Sequence, residues 1–296
     1  DQIAALSSAQ IRALSTTQIH ALSTEQLAAI TTAGVQAMTS AQTLALTTAQ
    51  VEAMTTSQVA ALNTANIRFL SAGHIEALDT AQVVALTTAQ ASALTTQQVA
   101  ALSTEQTAAI ETADLAALSS AQVVALGAAN AAALTTAQVV ALTTAQVAGL
   151  TTAQVAGLSS EQIEAMETAD VRAMTAAQTA VLSTAQAEGL TTAQIAAMGT
   201  ANVRALSNDA LASLTSEQLN ALSTAQVQAL STAQVSNLTT DQLSNLETAD
   251  VAALSSAQMQ AISAANFSSL GSQHIAALTT AQVSTLTTAQ AQALQT

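Results

Sequence analysis

The chain has 296 residues, with 18 acidic residues against four arginines and no lysine, and its formal net charge is −14. Such a surface repels phosphate groups, so we expect no nucleic-acid partner, and anionic membranes are poor partners as well. The lack of cysteine excludes disulfides and thiol chemistry. We also expect no membrane insertion, because no apolar run approaches the roughly 18 residues that a membrane-spanning helix needs.

One eight-residue unit repeats without insertion along the whole sequence, since 296 residues are 37 times eight. We number its slots from residue 1, so that residues 137–144, with the sequence Ala-Gln-Val-Val-Ala-Leu-Thr-Thr, fill slots one to eight. Repeat arrays grow in one dimension and need no central core. The sequence therefore predicts a single continuous array over residues 1–296, with no internal domain boundary.

The apolar slots do not fit a continuous helix or a strand. Slot six is Leu, Ile or Met in every octad, slot three is usually Val, Ile or Leu, and slot five is mostly Ala. In a straight helix, eight residues advance two turns plus about 80°, so the apolar stripe would spiral around the rod. A strand needs strict alternation of polar and apolar residues, and slots three, five and six do not alternate.

Three signals instead place a helix start in each octad. Ser or Thr in slot seven is a good N-cap, and slot two, three residues later, is Gln in 26 octads, which together form a capping box. Slots six and three have the spacing of a hydrophobic staple. Acidic residues occupy the second helical position in several octads, for example Glu25, Glu105, Glu161, Glu217 and Asp241. The sequence therefore predicts an all-α solenoid, or superhelix, of about 37 short capped helices of six or seven residues, one per octad.

The remaining slots predict how the helices face one another. Slot four contains all four arginines (Arg12, Arg68, Arg172 and Arg204), so we expect it to face solvent. The small residue in slot five permits close approach of neighbouring coils. The uniform repeat does not set the number of octads per coil or the handedness.

Acidic residues and histidines are the candidates for chemistry. The acids form three groups: Glu105/Glu111/Asp114, Glu161/Glu164/Glu167/Asp170 and Asp241/Glu247/Asp250. We interpret them as residues that cap helix starts, with a calcium site as the alternative. His74 and His274 occupy the glutamine slot and are expected to replace Gln structurally, whereas His20 lies in the exposed slot.

No reactive constellation emerges from these residues. Nothing pairs a hydroxyl with a histidine base, and no zinc spacing or phosphate loop is present. The sequence therefore predicts no enzymatic activity, no catalytic, cofactor-binding or metal-binding residue, and no cofactor. Rows of paired Ser/Thr hydroxyls are interpreted as caps, and an ice- or glycan-binding surface is the alternative.

Residues 141–148, Ala-Leu-Thr-Thr-Ala-Gln-Val-Ala, and variants such as Glu-Thr-Ala-Asp at residues 247–250 recur across all 37 octads. They resemble octapeptide tracts of very large bacterial secreted and surface proteins of the adhesin-like type. The resemblance implies an exported stalk, fibre or adhesive module, located outside the cell or at its surface.

The expected function is therefore that of an extracellular structural repeat protein that forms a stalk or filament. Octads at both ends of the sequence are ordinary ones, so we expect either a longer parent protein or end-to-end polymerisation. Self-association, end to end or lateral, is the expected partner interaction, together with possible cell-surface or glycan contact.

Overall fold

The computed structural model of the chain describes residues 2–294 and is helical throughout. Within that range it has 36 α-helices, one 3₁₀ helix at Ile3–Ala5 and no strand, which confirms the predicted all-α solenoid with one short helix per octad. The α-helices have four to six residues, so those of six residues match the predicted six or seven and the others are shorter. The difference arises at both ends, because the residues in slots six and seven are mostly extended.

The helices belong to two compact units, Asp1–Leu150 and Thr151–Thr296. The α-helices of the first unit are α1 Ser8–Ala13, α2 Thr16–His20, α3 Thr24–Ala28, α4 Thr32–Ala37, α5 Ser40–Leu44, α6 Thr48–Glu52, α7 Thr56–Ala61, α8 Thr64–Ile67, α9 Ala72–Glu76, α10 Thr80–Val84, α11 Thr88–Ala93, α12 Thr96–Ala100, α13 Thr104–Ala109, α14 Thr112–Ala117, α15 Ser120–Ala125, α16 Gly127–Ala132, α17 Thr136–Ala141 and α18 Thr144–Gly149.

The α-helices of the second unit are α19 Thr152–Gly157, α20 Ser160–Ala165, α21 Thr168–Ala173, α22 Ala176–Thr179, α23 Thr184–Glu188, α24 Thr192–Ala197, α25 Thr200–Ala205, α26 Asn208–Ser213, α27 Ser216–Asn220, α28 Thr224–Ala229, α29 Thr232–Ser236, α30 Thr240–Asn245, α31 Thr248–Ala253, α32 Ser256–Ala261, α33 Ala264–Phe267, α34 Ser272–Ala277, α35 Thr280–Ser284 and α36 Thr288–Gln292.

Most helices begin with the predicted capping box. At the start of α17, the Thr135 amide donates to Gln138 Oε1 over 2.8 Å, and the Gln138 amide donates to Thr135 Oγ1 over 3.2 Å. The apolar partners of this start, Leu134 and Val139, are both buried. A start without the hydroxyl differs: α16 begins one residue early at Gly127, whose φ of 76° suits glycine.

Each unit coils so that every helix packs against the helix three places along the chain. In the first unit α1 packs on α4 and α4 on α7, and in the second α19 packs on α22 and α22 on α25. Side-chain hydrogen bonds join slot two to the slot-six carbonyl 28 residues earlier, as from Gln90 to Leu62. One coil therefore takes about 28 residues, or three and a half octads.

The slots have fixed environments in both units. Slot three, exemplified by Val139 and Ile195, is buried in most described octads, although Val283 near the end of the described range is exposed, and slot six, exemplified by Leu134 and Leu190, is nearly as buried. No described slot-four residue is buried, which confirms the predicted solvent face. Slot five packs against slot eight of the preceding coil: a Cβ at Gly189 would lie 2.9 Å from the Ser160 carbonyl oxygen.

This close approach gives a first testable consequence. We expect Gly189→Ala to lower the free energy of unfolding by about 1–2 kcal/mol, because the new Cβ would force the backbone of the preceding coil to shift. Gly73→Ala, inside α9, is the control, since a Cβ there would meet only side-chain atoms of Thr48 and Ser71 at 3.8 and 3.9 Å, and this change should leave the stability unchanged or raise it by up to about 1 kcal/mol. Thermal denaturation of both variants measures the difference, and equal melting temperatures would contradict tight packing at slot five.

Candidate functional site

The glutamine in slot two is the functional centre of the octad, because it bonds in two directions at once. Gln90 of α11 is buried, and its Oε1 accepts from the Thr87 amide over 2.8 Å. Its Nε2 donates to the carbonyls of Val59 and Leu62 in the preceding coil, over 2.8 and 2.7 Å. One carboxamide therefore caps its own helix and joins that helix to the coil before it.

The same arrangement recurs in the second unit. Gln186 Nε2 donates to the carbonyls of Val155 and Leu158 over 2.9 and 2.7 Å. These acceptors lie 31 and 28 residues before the donor, which is the register that Gln90 uses. We call this set of side-chain bonds from slot two to the preceding coil the glutamine ladder. Because a buried amide left without acceptors would be costly, the ladder fixes the register of the coils.

Sequence reasoning found the capping half of this role and missed the ladder. A signal was present, because a capping box accepts Glu as readily as Gln, yet Glu is absent from slot two in all 37 octads. Only the amide can donate to carbonyls.

The two histidines of slot two substitute for glutamine as predicted. His74 Nδ1 accepts from the Ser71 amide over 3.2 Å, and His274 Nδ1 accepts from the Gly271 amide over 3.1 Å. His274 Nε2 lies 2.8 Å from the Leu246 carbonyl oxygen, so it carries the proton and donates to that carbonyl. A neutral imidazole therefore reproduces both functions of the carboxamide.

His74 gives a second prediction, on pH dependence. Burial lowers its pKa, although a hydrogen bond to the Leu46 carbonyl opposes the shift. The stabilisation from neutral His74 is complete above the ordinary pKa of 6.5 and is lost as the pH falls through the lowered value. We expect His74→Gln to melt at an increasingly higher temperature than the parent as the pH falls from 7 to 5. A difference that is independent of pH would contradict a buried neutral imidazole.

Asparagine in slot two keeps only the ladder bond. Asn130 Nδ2 donates to the Leu102 carbonyl and Asn202 Nδ2 to the Met174 carbonyl, each over 2.7 Å and each 28 residues back. The helices that contain them, α16 and α25, have no side-chain cap bond. The side chain is one methylene shorter than Gln, so it reaches the slot-six carbonyl and no longer its own helix start.

The acidic groups divide into two kinds. Hydrogen bonds from the helix start, chiefly from the residue's own amide, lower the pKa of Glu25, Glu105 and Glu161, as expected for the second helical position. The interpretation was wrong for a second set. Glu111, Glu167 and Glu247 stand at the N-cap position, but their side chains make no cap bond.

The other candidates are placed as follows. The ring of exposed His20 contacts the Ala45 carbonyl, with Nδ1 at 3.0 Å. Among residues 2–294, no group of three or more His, Cys, Asp or Glu side chains is arranged to hold a metal ion. In the same part of the chain, none of the helices has the length and apolar character needed to cross a bilayer.

These features define a class of protein: an all-α tandem-repeat solenoid whose coils are joined through the side chain in slot two. The ALTTAQ repeat profile matches ten overlapping segments, at residues 1–32, 27–64, 59–96, 75–109, 107–144, 139–166, 163–200, 195–224, 216–247 and 243–280. The chain therefore belongs to the ALTTAQ repeat family. A comparison with curated protein sequences returned no significant match.

Proposed function

We propose that the protein is a structural repeat protein that serves as an extracellular stalk or filament. The glutamine ladder is the observation that supports this role. An octad with a buried glutamine in slot two donates to carbonyls of the preceding coil and offers its own carbonyls to the next coil, as Gln90 donates to Leu62 and Gln122 to Leu94. The repeat can therefore be extended without any new kind of contact.

The ladder suits a load-bearing role because its bonds are numerous, buried and identical. A net contribution of about 1 kcal/mol for each hydrogen bond accumulates with every octad added. Buried amides are shielded from water, which would compete with bonds at an exposed interface. Nothing in this arrangement calls for catalysis, so the proposal includes no enzymatic activity.

Location at the cell surface and self-association belong to the same proposal. The resemblance to octapeptide tracts of secreted adhesin-like proteins supports the location. The ladder supports self-association, since a slot-two amide of one copy could donate to slot-six carbonyls of another copy as Gln90 donates to Leu62 within the chain.

Electron microscopy of the purified protein over a range of concentrations tests the filament. Extended particles that lengthen with concentration are expected, and discrete short particles at high concentration would contradict polymerisation. Replacing Gln10, Gln18 and Gln26 by glutamate keeps the side-chain oxygens that accept the N-cap amides and removes the exposed Nε2 donors. We expect this triple variant to form shorter particles. The charge-matched control places glutamate at three exposed slot-four glutamines, Gln36, Gln228 and Gln292.

Protease treatment of intact producing cells tests the location, and protection of the protein would contradict it.

An alternative proposal is an ice- or glycan-binding surface made from slot-eight threonines. The slot-seven hydroxyls accept helix-start amides, as Thr135 does, whereas slot-eight threonines such as Thr136 and Thr144 are exposed. Thermal hysteresis, or binding on a glycan array, that is lost on Thr→Val substitution in slot eight would favour this function. Unchanged binding in those variants would exclude slot eight as its source.

A further inference from the structure

Two tripeptides of the chain have the sequence that accepts N-linked sugars, in which Asn is followed two residues later by Ser or Thr. They are Asn237-Leu238-Thr239 and Asn266-Phe267-Ser268. None of the other seven asparagines has a hydroxyl residue at that spacing. Any residue except proline is accepted in the middle, so the use of each tripeptide depends on where the fold places its asparagine.

The second tripeptide is occupied by the packing of the coils. Asn266 fills slot two, and its Nδ2 donates to the Leu238 carbonyl of the preceding coil over 3.0 Å. The neighbouring Phe267 is buried, with 1 % of its surface exposed. A sugar on Asn266 Nδ2 would take the place of the preceding coil, so the folded chain has no room for it there.

Asn237, by contrast, lies on the outer surface of the second unit. It fills slot five, directly after α29, and is exposed. Its Nδ2 donates to the Ala233 carbonyl of its own helix over 2.8 Å and to the Ser236 hydroxyl over 3.4 Å. Because a carboxamide nitrogen has two hydrogens, a sugar can replace one while the other keeps the bond to Ala233.

The hydroxyl that completes this tripeptide is accessible as well. Thr239 is exposed, and its Oγ1 accepts from the Gln242 amide over 3.1 Å. A hydroxyl that accepts a hydrogen bond still has its own hydrogen to donate. Of the three side chains, the middle one, Leu238, is buried, with 2 % of its surface exposed. The two side chains that define the acceptor are therefore the two that reach solvent.

The contacts between coils do not use the Asn237 carboxamide. In the same helix, Gln234 donates to the carbonyls of Val203 and Leu206 over 3.0 and 2.9 Å, which is the ladder register. The Asn237 bonds to Ala233 and Ser236 stay within its own octad. A sugar on Asn237 therefore leaves the glutamine ladder intact.

One octad later the chain offers a matched comparison. Asn245 is also an exposed slot-five asparagine, and its Nδ2 donates to the Asp241 carbonyl over 2.7 Å, four residues back as in Asn237. Two residues after it stands Glu247, which is exposed and makes no side-chain cap bond. The two asparagines thus share their surroundings and differ in the hydroxyl that an N-glycosyl transferase requires.

We propose that Asn237 is an acceptor for an N-linked sugar. The donor is a glycosyl diphosphate, whose sugar is joined through C1 to a polyprenol diphosphate or to a nucleotide diphosphate. The Asn237 carboxamide nitrogen bonds to C1, the bond between C1 and the diphosphate oxygen breaks with its electron pair on the diphosphate, and one nitrogen proton passes to the transferase. The polyprenol route rests on the proposed export from the cell, whereas the nucleotide route does not.

Peptide mass mapping of the full chain from its producing cells tests the proposal. Cleavage after acidic residues separates the three asparagines, because Asp241 lies between Asn237 and Asn245, and Asp250 lies between Asn245 and Asn266. The peptide with Asn237 is expected to have the added mass of a sugar, and the peptides with Asn245 and Asn266 are expected to have none.

Three substitutions separate the tripeptide from the fold. Thr239→Ser should keep the sugar on Asn237. Thr239→Asp should abolish it without loss of the helix cap, since Asp79 accepts the Gln82 amide in the same way over 2.7 Å. Glu247→Thr completes a tripeptide at Asn245 and should add a second sugar there.

Two results would overturn the proposal. An unmodified Asn237 in protein from the producing cells would show that it is not an acceptor, and a sugar that persists in Thr239→Asp would show attachment that does not depend on the tripeptide. An inhibitor of polyprenol-linked sugar synthesis distinguishes the donors, because it removes only a sugar that comes from the polyprenol. Failure of the proposed location reads differently: the sugar would be present on protein that intact cells protect from protease.

Discussion

Replacing Gln90 by glutamate is expected to lower the free energy of unfolding by about 3 kcal/mol at neutral pH. Glutamate keeps the oxygen that accepts the Thr87 amide, so the capping box survives. It replaces the buried Nε2 donor by a second oxygen that faces the carbonyls of Val59 and Leu62. Chemical denaturation measures the loss, and faster amide hydrogen exchange in α7 and α11 would locate it.

Gln10→Glu is the matched control for this substitution. Gln10 forms the same capping box with Ser7, but it is exposed. Its replacement should change the stability by less than about 0.5 kcal/mol. Acidification should partly restore the Gln90→Glu variant, because protonated glutamate can donate to a carbonyl. Equal losses in the two variants would show that capping alone accounts for slot two.

The local structure of the octad could be predicted from the sequence because its determinants lie within eight residues. The N-cap hydroxyl, the Gln three residues later and the apolar pair around them all act inside one helix start, as Thr135, Gln138 and Val139 do in α17. Solvent exposure of slot four was predictable as well, because arginines were tolerated there and in no other slot. Short-range physics therefore fixed the element type and its position in the repeat.

The register between coils could not be predicted because the repeat is uniform. Each octad offers the same carbonyls and the same amide, so coils of three, three and a half or four octads look alike in the sequence. What decides among them is the geometry of a side chain that reaches 28 and 31 residues back. That geometry depends on how the backbones of successive coils pack. The eight-residue repeat would be the same for any number of octads per coil, so the sequence does not show the register.

One departure from uniformity did contain information about the ladder. Slot seven of one octad lies three residues before slot two of the next octad. Wherever that slot two is Gln, the preceding slot seven is Ser, Thr or Asp, as in the pair Asp79 and Gln82. Where slot two is the shorter Asn or Asp, slot seven is Glu, Gly or Asn in all cases except Ser263. The shorter side chain cannot reach its own helix start, so the capping box is given up and only the contact with the preceding coil remains. The pairing of the two slots thus distinguishes the two functions of slot two.

The same distinction explains why the acidic groups were misread. Glu111 and Asp114 look like helix-start acids when only one helix is considered, since both occupy the first turn or its cap. In the folded unit, Glu111 is exposed and makes no cap bond, whereas Asp114 is buried against the preceding coil. Their roles are set by the neighbouring coil, which a reading of a single octad omits.

Leu115→Ala is expected to cost about 3 kcal/mol of unfolding free energy, because it removes a fully buried side chain from slot three of α14. The chain itself shows the consequence of alanine in this slot, since Ala91 lines the cavity of about 20 Å³. Leu44→Ala is the matched control: this leucine lies one slot further along in α5 and is 57 % exposed, so its loss should cost less than about 0.5 kcal/mol. Chemical denaturation of the two variants compares the same chemical change on the inner and outer faces of short helices. A similar cost at both positions would contradict a core made from slot three, and the solenoid would then need another source of cohesion.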